Sequence, residues 1–184
     1  NIDKKDNPLF TRKGFLLTGL LKFAGFNGSR EYTKVDLTLN SYIPITNNTI
    51  NAIRMQIGKL WGWSNNYGDY SFEKFYLGGS TSMRGWEVLK FSENDQNEPQ
   101  GETMRFMTNI EIRQKIYKSF GLTIFSDGGL LTNSYPDNFI DALKWDIGFG
   151  LTIDTPFGPV RIDYAMQVDD FNKKLINFGI QNIF

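Results

Sequence analysis

The chain has 184 residues, equal numbers of acidic and basic side chains, and neither cysteine nor histidine. Balanced charge excludes the basic face that a nucleic-acid partner needs. The missing residue types exclude disulfides, zinc–thiolate sites, thiol nucleophiles and histidine-based catalysis, so no enzyme, metal or cofactor is expected of these residues.

The opening stretch, NIDKKDNPLFTRKGF, is polar and lacks the apolar core of a signal peptide; it reads as the tail of a loop in a longer protein. Period-two alternation follows and dominates the chain. It predicts strands over 13–23, 31–45, 49–63, 102–116 and 119–131. The three that follow alternate more cleanly. In Trp145–Asp154, Trp145, Ile147, Phe149, Leu151 and Ile153 share one face, with Asp146, Gly148, Gly150, Thr152 and Asp154 on the other. In Val160–Gln167, Val160, Ile162, Tyr164 and Met166 oppose Arg161, Asp163, Ala165 and Gln167. In Lys174–Phe184, Ile176, Phe178, Ile180 and Phe184 oppose Asn177, Gly179 and Gln181.

Nothing of comparable length has a helical period, so the predicted class is all-β. The strands, about 10 to 14 residues each, exceed the globular mode and suit a tilted bilayer crossing. Aromatic residues make up 15% of the chain while mean hydropathy is only −0.35, as when a polar lumen offsets an apolar exterior. Links at 46–48, near Lys118 and at 155–159 are tight, whereas those at 24–30, 64–100, 132–142 and 168–173 are longer. Such sorting by side is expected of an antiparallel transmembrane β-barrel. A soluble sandwich also alternates, but has no reason to sort its loops.

The link at 64–100, about 37 residues, is long enough to fold inward and calls for a functional explanation. It holds FYLGGSTSMRGW, Phe75–Trp86. Gly78, Gly79 and Gly85 would admit backbone angles that other residues avoid. A lumenal Arg84 would need anionic partners. The alternation of neighbouring strands points Glu111 and Asp127 inward, where they could clamp it. Equally, all three could be solvated surface charges.

The loop pattern is an aromatic pair, x-Gly-Gly, a Ser/Thr spacer, then Met83-Arg84-Gly85-Trp86. It resembles the signature loop of the BamA/TamA-type superfamily of bacterial outer-membrane β-barrel assembly and translocation proteins. Met83 stands where Val or Ile is commoner and Trp86 where Phe or Tyr is commoner, and both keep the physical type. FSDGGLL resembles a strand motif of that family. GFGLTIDTPFGPVRIDYA, with Pro156, Gly158, Pro159, Arg161 and Asp163, resembles its penultimate hairpin, and NFGIQNIF its C-terminal signal, with Phe178, Gly179, Ile180 and Phe184.

The resemblance implies the last eight strands of a barrel of about sixteen, with the loop in the lumen and Arg84 on Glu111 and Asp127. It also implies a weakly paired seam strand that opens into the membrane or templates a client strand. Eight strands alone leave no room for so long a loop, so either upstream strands or a second copy, as in a homodimer, would complete the wall. The implied partners are outer-membrane lipid, client barrel or exported proteins, and accessory assembly proteins. Two alternatives stand beside this reading: a passive pore or structural barrel, and an anchor for an upstream patatin-like lipase domain.

Overall fold

The computed structural model describes residues 1–25, 31–62, 71–180 and 182–184. The links at 26–30 and 64–70, residue 63 and inward-assigned Gln181 lie outside the described residues. The described chain forms one antiparallel sheet in sequence order. Its strands are β1 (Ile2–Asp3), β2 (Gly14–Ala24), β3 (Tyr32–Pro44), β4 (Thr49–Gly62), β5 (Met104–Tyr117), β6 (Phe120–Thr132), β7 (Lys144–Thr155), β8 (Gly158–Gln167) and β9 (Lys174–Ile180). Among the described residues no pairing joins β9 to β1, so they form an open stretch of wall.

Alternation explains the wall. Ile147, Phe149, Leu151 and Ile153 of β7 stand exposed on the outer face, and Asp146 and Gly150 between them are buried on the inner one. The same parity turns Ile176, Phe178 and Ile180 outward on β9, and Ile110 and Ile112 outward on β5. In water this face would be costly; against lipid it is the stable arrangement. Outward aromatics gather near both rims. Phe23, Trp61, Phe106 and Trp145 lie toward the long-loop rim, and Phe15, Tyr117 and Phe120 toward the short-turn rim. Such girdles mark the two edges of a bilayer.

Two expectations need correction. The opening residues are not all loop: Ile2 and Asp3 pair with Leu17 and Leu16, giving a ninth strand. The all-β class holds: the one α-helical element among the described residues is a single turn, α1 (Phe139–Ala142), before β7.

The second correction concerns the chain end. The last strand, β9, stops at Ile180 instead of running to Phe184, which leaves it 7 residues long where β2 to β8 have 10 to 14. Phe184 does not continue the outer face. Its ring lies 5.3 Å from the Arg54 guanidinium and 4.9 Å from that of Arg113. Arg54 also donates to the Ile183 carbonyl at 2.9 Å. Guanidinium planes stack well on aromatic faces, and here they draw the segment across the inner wall.

Candidate functional site

The long link lies against the inner face of the wall from Glu73 to Trp86, fastened at two places, while its residues 93–100 are exposed. Its first arm is short. Glu73, in a 3-10 turn, receives Lys22 from β2 and lies 3.6 Å from the Lys34 ammonium of β3. Phe75 is buried beside the Lys34 ammonium and the Arg105 guanidinium. Gly58 of β4 makes room for the ring, since a Cβ there would sit 2.5 Å from it. Arg105 is itself held at 2.7 and 2.8 Å by the two Asp36 oxygens.

Burial alone would raise the pKa of Glu73, but the hydrogen bond and charge of Lys22, with that of Lys34, outweigh it and hold the carboxyl below its usual range. A depressed folded pKa stabilises above the unfolded value and loses that contribution as pH falls through the folded one. Acidification below the ordinary glutamate range is therefore expected to free this arm. Glu73→Gln should be freer at neutral pH and lose the acid response, as read by protease cleavage at Lys74. Unchanged cleavage at both pH values would contradict the assignment.

The second fastening surrounds Arg84, which has 0% exposure. Its Nε and NH2 donate to the two Asp127 oxygens at 2.8 and 2.7 Å, a bidentate fork. NH1 lies 2.7 Å from Glu111 and 3.6 Å from Asp163. The Glu111 approach is off the N–H direction, so it is an ion pair rather than an aligned hydrogen bond. The Phe125 ring lies 3.3 Å from the guanidinium carbon. Thus β5, β6 and β8 supply the three carboxylates, and the sequence-predicted pair Glu111 and Asp127 is joined by Asp163 of the penultimate hairpin.

A loop tucked inside a wall must satisfy its backbone with borrowed partners. The wall supplies them. The carbonyls of Ser80, Thr81, Ser82, Arg84 and Gly85 accept from Arg161, Arg54, Asn109, Asn177 and Gln167 respectively. The Met83 carbonyl accepts from the Gly79 and Trp86 amides. The Gly85 amide donates to Asp146 at 2.8 Å and the Arg84 amide to Asp127 at 3.3 Å. From Lys22 on β2 to Asn177 on β9, the loop reaches strands near both edges of the sheet.

Cations and acids are interleaved within the grip: Arg54, Arg84, Arg113 and Arg161 lie among Glu111, Asp127, Asp146 and Asp163, and Arg113 pairs with Glu111 at 2.7 Å. Such a cluster avoids the cost of an uncompensated buried charge. Beside it, Leu77, Met83, Trp86 and Phe91 of the loop pack with Met107 of β5 into a small apolar core.

The glycines play two different parts. Gly78 and Gly79 have φ of 113° and 95°, as the loop sequence predicts. Gly85 serves close approach instead: a Cβ would sit 2.7 Å from that of Asp146. Gly179 of β9 likewise serves close approach, because Arg161 lies across it and a Cβ would meet Nε at 2.8 Å. Pro156 lies in the tight β7–β8 turn, and Gly158 and Pro159 open β8.

Sequence reasoning assigned no role to Arg54, Asn109, Asp146, Gln167, Asn177, Arg113 or Glu73. The alternation of the last three strands already turns Asp146, Gln167 and Asn177 inward, and extending it to every polar residue of β4 and β5 would have marked Arg54, Asn109 and Arg113. Glu73 carries no such signal, because its position depends on the path of the loop.

A family model described as the Omp85 superfamily domain matches residues 1–184. The chain is 27% identical over 177 residues to the outer membrane protein assembly factor BamA of Nitratidesulfovibrio vulgaris, covering 91% of this chain and 22% of that protein. It is 23% identical over 197 residues to the protein of the same name in Neorickettsia risticii, covering 100% of this chain and 26% of that one. The chain thus spans about a quarter of these relatives. The crystal structure of BamA from Haemophilus ducreyi lacking POTRA domains 1–3 superposes with a TM-score of 0.76 at 15% identity, covering 96% of this chain and 39% of that one.

Proposed function

Because the chain belongs to the Omp85 superfamily of bacterial outer-membrane β-barrel proteins, we propose that it forms part of the wall of a larger barrel, of about sixteen strands, that inserts client proteins into that membrane. Its relatives named as outer membrane protein assembly factors support this reading. The observation that carries it is the shortness of β9. This strand pairs with β8 through 7 residues, where β2 to β8 are 10 to 14 residues long. A short ladder gives up its partner at low cost, and a strand edge offers backbone donors and acceptors to an incoming strand.

In this account no bond is made or broken. The wall supplies a short seam strand, and the fastened loop holds the inner face while the seam exchanges one partner strand for another. Clients, accessory assembly proteins and lipid are its partners. A passive pore fits less well, since the loop fills the inner side of this wall and buries Arg84 completely.

The test uses the full-length protein in vesicles with an unfolded β-barrel client carrying single cysteines. Cysteines at Phe178 or Ile180 are expected to trap the client during insertion, and one at Phe149, in the middle of the wall, to trap none. Insertion with no capture at β9 would overturn the seam reading.

A further inference from the structure

The link between β6 and β7, residues 133–143, does not extend away from the wall into solvent. It starts beside β5, where the Asn133 side chain accepts from the Thr103 amide at 3.1 Å. Tyr135 then lies with its ring 5.8 Å from the Lys59 ammonium. Lys59 occupies an outward position of β4, between inward Gly58 and Leu60. Phe139 meets the outward Phe106 ring of β5 edge-on, at 5.2 Å and 78°. Two independent contacts therefore place this link on the outer face, over β4 and β5, at the level of the aromatic girdle.

The side chains it presents there suit a boundary between water and hydrocarbon. Tyr135 is 84% and Ile140 75% exposed, and no residue of α1 is buried. The turn itself is well made: the Asn138 side chain accepts from the Ile140 amide at 3.1 Å and donates to Asp141 at 2.6 Å. A structured turn that leaves Tyr135, Phe139 and Ile140 uncovered beside an apolar wall is continuous with the lipid-facing surface. Aromatic rings gain from sitting where one end is apolar and the other wet.

We propose that the β6–β7 link is an interfacial anchor, lying on the outer wall with Tyr135, Phe139 and Ile140 inserted at the polar–apolar boundary of the surrounding leaflet. Its partner is the acyl and carbonyl zone of the lipid, not a charged headgroup. Asp137 and Asp141 lie in the same link and would repel anionic phosphates, and Lys59 stands opposite Tyr135 as a cation whose stem can run along apolar surface. The anchor fixes the depth of the wall in the bilayer at β4 and β5.

The test places an environment-sensitive fluorophore on a cysteine at Ile140 of the full-length protein in phosphatidylcholine vesicles, with and without acyl-chain bromination. A matched probe at Asp95, in the polar part of the long loop, serves as reference. The Ile140 probe is expected to emit to the blue of the Asp95 probe and to be quenched by brominated lipid, with the same result when an anionic lipid is included. Water-like emission from both probes would overturn the proposal. So would blue-shifted emission untouched by bromination, which would mean a protein surface covers the link. Quenching that appears only with anionic lipid would replace the boundary by a headgroup and overturn the stated partner.

Discussion

Arg84→Ala is expected to unfasten the loop and lower the stability of the wall by about 3–5 kcal/mol, the range for breaking a buried ion pair by removing one partner. The cost arises from what remains. Asp127, Glu111 and Asp163 all lie within 4 Å of the guanidinium and are themselves buried. Without it Asp127 is a desolvated carboxylate with no other ion pair among the described residues, while Glu111 keeps Arg113 and Asp163 keeps Arg161. Arg84→Lys should recover only part of the loss, because an ammonium cannot fork onto both Asp127 oxygens. Arg84→Ala combined with Asp127→Ala should be less damaging than the sum of the single changes, since the pair shares one interaction. Urea midpoints of the barrel and tryptic cleavage at Lys90 read these effects. An additive double variant, or a single variant with wild-type protection, would contradict the described grip.

Gly78→Ala should be nearly as damaging through a different mechanism. At φ of 113° an L side chain is strained, which costs about 1–3 kcal/mol by itself. A Cβ would also overlap the Glu87 carbonyl oxygen, a backbone atom that cannot turn aside. Gly79→Ala is the informative comparison. Its φ is also positive, but its Cβ would meet the Val88 side chain at 3.0 Å, which can yield. Gly78→Ala is expected to expose Lys90 to trypsin almost as Arg84→Ala does, with Gly79→Ala intermediate. Equal effects at the two glycines would mean that backbone angle alone, and not the Glu87 contact, sets the cost.

The wall was legible because it obeys one rule. Trp145 to Ile153 and Val160 to Met166 alternate without a break, and β7 and β8 lie within two residues of their predicted ends. The same parity pointed Glu111, Asp127, Arg161 and Asp163 inward, where they surround the loop. The rule failed where its premise failed. Phe184 has the parity of Phe178, so alternation carried the strand to the end, but parity holds only while the backbone stays extended. The attraction of Phe184 to Arg54 and Arg113 joins residues more than seventy positions apart, and no local pattern reports it.

Gly85 was misread for a related reason. A glycine can serve an unusual φ or a close neighbour, and the neighbour, Asp146, is distant in sequence. The first arm was invisible for the same cause. Glu73, Phe75 and Gly58 become one site only when the loop crosses β4.

Hydrogen exchange of the loop amides in the full-length protein tests the central claim most directly, that this loop is held within the wall by borrowed partners. The amides of Gly79, Arg84, Gly85 and Trp86 bond to Met83, Trp86, Asp127 and Asp146 in the buried grip, while those of Gln96 and Glu98 bond within an exposed turn. The account predicts that the first group exchanges far more slowly than the second, and that Arg84→Ala removes most of the difference. Equally fast exchange in the two groups of the unaltered protein would contradict it.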